Sequence, residues 1–169
     1  MWNYYLGLGS NLSPHTNVVE MLKALMDLSD EVIISRVIQT QPAGFPSEKI
    51  FLNLAARIQS ELEPEALKQR FNQIEIDLGR DRTDPNRKLK DRVADIDILF
   101  YTRPEVTQVE ARELPPEPYL RAPVVELLDH LEVQHLVISP EMPEGVELEL
   151  DGKKIGKTPG SLLKLAAAA

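Results

Sequence analysis

"RVADIDILFY", Arg92 to Tyr101, is the stretch on which the fold turns. β-branched and aromatic residues in series read as a strand over Val93–Phe100. Two aspartates, Asp95 and Asp97, stand inside it. Burial of an unpaired carboxylate costs several kcal/mol, so something must face them. In a strand, residues i and i+2 share a face. Asp95 and Asp97 are therefore expected to project together, with Ile96, Ile98 and Phe100 on the other side supplying the packing.

Working outward, "PEALKQRFNQIEIDLG" before it reads as a helix, with Pro64 near its start and Gly79 as its stop. Its apolar stripe is Leu67, Phe71, Ile74 and Leu78. Further upstream "IFLNLAARIQSEL" and "EVIISRVIQT" read as strands, joined by the Gly/Pro loop "QPAGFPSEK". "SPHTNVVEMLKALMDL" is a helix with Ser13 as N-cap, Pro14 at its first position and Val18, Leu22, Leu25 and Met26 on the buried side. "NYYLGLGSN" begins as a strand and is expected to break at Gly7, Gly9 and the Ser-Asn turn. Downstream, a Pro-rich passage leads to a short helix near "PVVELLDHL". "VELELDGKKIGK" then reads as a hairpin turning at Asp151-Gly152. The order β-α-β-β-α-β plus C-terminal extras predicts an α+β fold of ferredoxin-like type, an antiparallel sheet with helices on one face. Residues 1–165 form one domain on this reading, and the alanines 166–169 resemble a cloning remnant.

Bulk properties narrow the function. With 169 residues, 43% hydrophobic and 27% charged, the chain can build a proper core. No apolar run approaches the ~20 residues of a membrane span, and no basic leader marks a signal peptide. The absence of cysteine rules out disulfides and thiolate metal sites and fits the cytoplasm. A net charge of −8 argues against nucleic-acid binding. Against that background, "GRDRTDPNRKLKDR" (79–92) holds six basic residues and three acidic ones. A cationic loop on an acidic protein points to one specific anion, with a solvated linker as the plain alternative.

Two glycine motifs carry no nucleotide site. "GLGSN" lacks the third glycine of a dinucleotide fingerprint. "GKKIGKT" is one residue short of a phosphate-binding loop and lies outside any βαβ unit. The aspartate pair is more informative. Two carboxylates a few ångströms apart repel unless a cation joins them, and Mg²⁺ suits one or two carboxylates completed by water and phosphate oxygens. Salt-bridged aspartates on a wet face are the alternative. Close to an Arg/Lys-rich loop, the pair is what a triphosphate needs. Asn11, Asn53 and Glu75 are further polar candidates. Asn11 could satisfy its own turn, Asn53 could pair with backbone, and a surface ion pair would account for Glu75.

Taken in order, "YYLGLGSNL", "TQPAG", "FLNLA", "IEIDLGRDR" and "RVADIDILFY" resemble the 6-hydroxymethyl-7,8-dihydropterin pyrophosphokinases of folate biosynthesis. The likeness runs from about Tyr4 to Leu128. It implies Mg²⁺-dependent transfer of a diphosphoryl group from ATP to the pterin hydroxymethyl group, with AMP released and two Mg²⁺ ions at the site. It implies Asp95 and Asp97 as metal ligands, and Arg82 and Arg92 with them as the catalytic set. Asn72, Glu75, Arg80, Arg82, Arg92, Ile98 and Arg121 fall on the family's ATP site. Thr40, Pro42, Ala43, Phe51, Asn53 and Asp95 fall on its pterin pocket. A cytoplasmic monomer with small-molecule partners, neither nucleic acid nor membrane, completes the expectation.

The chain also departs from the family. Leu89, Lys90 and Asp91 stand where members usually carry Trp-Gly-Pro, Pro116 stands in place of a histidine, and Pro123 in place of a phenylalanine ring. Base stacking contributes about 1–3 kcal/mol per ring, so a missing ring weakens binding roughly ten- to a hundredfold without abolishing it. Two alternatives follow: a nucleotide- or pterin-binding protein of the same fold with weak turnover, and a ferredoxin-like RNA-binding domain. The acidic charge and the lack of an aromatic-rich RNP-type strand disfavour the second.

Overall fold

Alternation along the first strand sets the two faces of the sheet. The computed structural model describes residues 1–41, 49–81, 83–85 and 93–164. Pro42, Ala43, Arg82, Arg92 and the Leu89-Lys90-Asp91 departure lie outside the described residues. Strand β1 (Trp2–Ser10) is flanked on both sides, by β4 (Phe51–Ser60) and by β5 (Asp95–Thr102), each antiparallel to it. The strand does not break at Gly7 or Gly9. Gly7 pairs with Ala55 and Asp97, and Gly9 with Asn53 and Asp95, so ladder bonds on both sides hold them extended.

With β2 (Glu31–Ile34), β3 (Ile38–Thr40) and β8 (Gly160–Leu163), these strands build a six-stranded sheet of order β5-β1-β4-β2-β8, and β3 pairs with β4. Tyr4, Leu6 and Leu8 meet α1 (Pro14–Leu28) and α2 (Pro64–Asp77) in one core, with Val18, Leu22, Leu25, Leu67 and Phe71. This is the α+β arrangement expected, with both helices of the β-α-β-β-α-β order on one face. The other face is covered too. Tyr5, Ile33, Ala55 and Phe100 make it apolar, and α3 (Pro118–His130) packs on it through Val124, Val125, Leu127 and Leu128. An apolar second face needs such a cover.

Local chemistry explains where elements end. The single strand expected over 31–40 is two, because Ser35 interrupts it. Its Oγ accepts the Ala55 N–H at 2.9 Å in place of a backbone carbonyl. Two residues on, Val37 gives its N–H to Gly156 O, and its carbonyl accepts the Val146 N–H. Ser13 precedes α1 in a left-handed conformation (φ 42°) and makes no side-chain cap. Its carbonyl instead accepts the Asn17 N–H at 3.0 Å. Helix α2 stops on Gly79 at φ +108°, with Gly79 N–H bonded to Ile76 O and Arg80 N–H to Glu75 O. That is a Schellman ending, and it folds Arg80 back beside the helix. The hairpin of β6 (Leu148–Leu150) and β7 (Lys153–Ile155) turns where foreseen, at Asp151 (φ 49°) and Gly152 (φ 81°).

Strand β5 starts two residues later than expected and carries an irregularity. Tyr5 pairs with Phe100 and Leu6 with Ile98, which leaves Leu99 as an extra residue. Ile96 and Ile98 therefore pack on the α1/α2 side as predicted, while Phe100 crosses to the α3 side and stacks on Tyr5 with ring centroids 4.4 Å apart. The i, i+2 rule fails for Phe100 because the bulge inserts one residue between it and Ile98. Among the described residues, no helix is long and apolar enough to cross a membrane.

Candidate functional site

Two rows of paired residues cross the sheet on the Tyr5 face. Ile38, Asn53, Gly9 and Asp95 form one row, running from β3 through β4 and β1 to β5. Ala55, Gly7 and Asp97 form the next. The aspartates therefore project from β5 opposite two residues without side chains. A methyl at Gly9 would lie 2.6 Å from Asn53 Oδ1, and one at Gly7 would lie 2.9 Å from Leu120 Cδ2. The Asn53 amide thus reaches over Gly9 towards Asp95, whose strand lies two strand spacings, roughly 10 Å, from its own.

The polar rim is specific. Asn53, only 5% exposed, donates from Nδ2 to Thr40 Oγ1 at 2.5 Å. Thr40 in turn pairs with Phe51, which stands at the start of β4. At the opposite side Arg80 Nη1 lies 3.1 Å from Asp95 Oδ1, 3.2 Å from Ala94 O and 3.0 Å from Glu75 Oε2. Glu75 is not the surface ion pair expected of it. It is fully buried, and the same Oε2 accepts the Ile96 N–H at 2.8 Å. Arg80 thus supplies the counter-charge that Asp95 needs, while Asp97 is exposed. Just beyond Arg80, the Asp81 carboxyl is held below its ordinary 3.8, first by the Thr83 hydroxyl and then by the Thr83 N–H.

Thr40, Phe51, Asn53, Arg80, Asp95 and Asp97 are therefore gathered at one end of the sheet, with Glu75 behind them. Asn72, half-buried on α2, lies one turn before Glu75. Arg121 sits on α3 beside Leu120, the residue that approaches Gly7, and points one nitrogen at Pro115 O, 3.4 Å away. Ile98 stands apart from the aspartates, its side chain packed in the α1/α2 core. Pro123 is buried within α3 and Pro116 is exposed ahead of that helix.

Two carboxylates on one face of β5, opposite glycines that add no side chain of their own, fit Mg²⁺, which takes few protein ligands and fills its octahedron with water and phosphate oxygens.

Residues 5–133 match the family described as 7,8-dihydro-6-hydroxymethylpterin-pyrophosphokinase. This chain belongs to that family. Among its relatives, the 2-amino-4-hydroxy-6-hydroxymethyldihydropteridine pyrophosphokinase of Bacillus subtilis is 30% identical over 135 residues, covering 76% of this chain and 79% of its own. The protein of the same name from Porphyromonas gingivalis is 35% identical over 113 residues, 66% of this chain and 77% of its own. That from Methylorubrum extorquens is 33% identical over 156 residues, 89% and 95% respectively. The family match thus begins within β1 and runs through α3, and the hairpin and β8 lie beyond the family match.

Gly7 and Gly9 are the site residues that sequence reasoning missed. In sequence alone both suggest a strand break. Their two-residue spacing, the same as that of Asp95 and Asp97, was the available signal for one shared face.

Proposed function

We propose that this pyrophosphokinase takes ATP as donor and 6-hydroxymethyl-7,8-dihydropterin as acceptor, passing the β- and γ-phosphates together to the hydroxymethyl oxygen and releasing AMP. The observation that carries the reading is the aspartate pair on β5 facing Gly7 and Gly9, with the Asn53 amide lying over Gly9 in the same row. Asn53, oriented by Thr40, would present its amide to the edge of the heterocycle, with Phe51 supplying a ring. Asp95 and Asp97 would hold two Mg²⁺ ions, which neutralise triphosphate charge when bound. Arg80 contributes a fixed positive charge at the same end of the sheet. The protein's work is placement: this kind of transfer asks for aligned reactants and stabilised charge more than for covalent help.

The same reading assigns phosphate contacts to Arg82, Arg92 and Arg121, with Asn72 and Ile98 along the nucleotide. It describes a monomer in the cytoplasm with neither nucleic acid nor membrane as partner, in keeping with the −8 charge and the absence of cysteine. A chain of this fold that binds pterin or nucleotide with weak turnover is the second reading. Pro123, buried in α3 where the family commonly has a ring, favours it. Turnover of ATP and the pterin with magnesium, then with excess chelator, separates the two. Pterin-dependent AMP that disappears with the chelator supports diphosphoryl transfer; binding of both ligands without AMP supports the second reading.

A further inference from the structure

Full burial sets Glu75 apart from the other charged residues described at this end of the sheet. A carboxylate with 0% exposure needs N–H or cationic partners. Glu75 Oε2 takes the Ile96 N–H at 2.8 Å and Arg80 Nη1 at 3.0 Å, so one oxygen ties α2 both to β5 and to the guanidinium. Arg80 Nη1 has two hydrogens for three acceptors: Glu75, Ala94 O and Asp95 Oδ1. The Schellman ending of α2 returns the Arg80 backbone to Glu75 O, which fixes the start of that side chain as Glu75 Oε2 fixes its tip. The guanidinium is thereby anchored from inside the protein, and its contact with Asp95 can be given up without the group leaving.

We propose that Glu75 is a positioning residue. It acts through Arg80, holding the guanidinium beside Asp95 whether or not a cation is bound there, and does not itself touch the nucleotide. The inference rests on the proposed ATP site, and on diphosphoryl transfer for its kinetic readout.

A double-mutant cycle tests it. Glu75→Gln keeps an oxygen for the Ile96 N–H and removes the charge that fixes Arg80. It should lower kcat by about 10- to 100-fold, the usual range for partners that orient a site residue. The association constant for magnesium with a non-hydrolysable ATP analogue, measured by calorimetry, should fall over the same range. In Arg80→Met protein the same change should alter both by less than about twofold, since a residue acting only through Arg80 has nothing left to act on. Equal losses in the two backgrounds, or no loss in either, would overturn the proposal. Should Glu75→Gln not fold, Arg80→Lys replaces it: the charge stays but the planar fork that Glu75 anchors is lost, so both readouts should fall over the same range, and parental values would overturn the proposal. A wild-type chain that binds the magnesium analogue yet releases no AMP overturns the functional reading alone, and the calorimetric arm still decides the role of Glu75.

Discussion

At Gly9 a single methyl group would fall 2.6 Å from Asn53 Oδ1, well inside van der Waals contact. Gly9→Ala should therefore displace the Asn53 amide from its Thr40 partner and lower kcat/KM for the pterin about tenfold or more. Steady-state kinetics check this, and parental values would remove Asn53 from the pterin pocket. Asp97 is exposed, so Asp97→Ala should leave the melting temperature within a degree or two while turnover falls by at least about 100-fold. Parental turnover would sink its assignment as a metal ligand. At this scale the aspartates were legible because the i, i+2 rule needs no partner strand. The glycines were not, because their meaning depends on which strands flank them. Glu75 was misplaced for a related reason. Nothing local to "IEIDLG" reveals that the Ile96 backbone and Arg80 converge on it.

Element ends show the same division. The stop of α2 at Gly79 was legible, since a glycine after a periodic stripe marks a C-cap. At φ +108° with nothing within 4 Å of an added Cβ, Gly79→Ala carries only the conformational cost, about 1–2 kcal/mol. Gly160 also has open space but not a positive φ, so Gly160→Ala should stay within about 0.5 kcal/mol of the parent. Urea unfolding of the pair distinguishes backbone strain from lost space, and equal destabilisation would contradict it. The crossing of Phe100 to the α3 side was beyond the sequence. A bulge at Leu99 is set by pairing against Tyr5 and Leu6, which alternation within β5 cannot register. The Ser35 break has a similar origin, because its hydroxyl answers an N–H twenty residues away.

For the whole molecule, the class and the first two helices' side of the sheet followed from element order. The cover over the second face did not, since its apolar residues are scattered over β1, β2, β4 and β5 and unite only once paired. Burial of one tyrosine on each face, Tyr4 under α1 and α2 and Tyr5 under α3, has a consequence at alkaline pH. The Tyr4 and Tyr5 phenols are held above their ordinary 10.0, chiefly by burial, with Arg57 pulling Tyr5 partly back. Unfolded, they ionise near 10.0, so between that value and the raised native one the folded chain binds more protons. Their contribution is complete below pH 10 and is lost as pH climbs past it. Urea unfolding should show stability falling between pH 9 and pH 11, less steeply in Tyr5→Phe; identical slopes would contradict this. Phosphorus NMR of wild-type protein with ATP, magnesium and 6-hydroxymethyl-7,8-dihydropterin reads the proposed transfer directly. Resonances of a pterin diphosphate growing in step with AMP, and no ADP, are the result predicted. ADP with a pterin monophosphate, or pterin-independent release of phosphate, would contradict it.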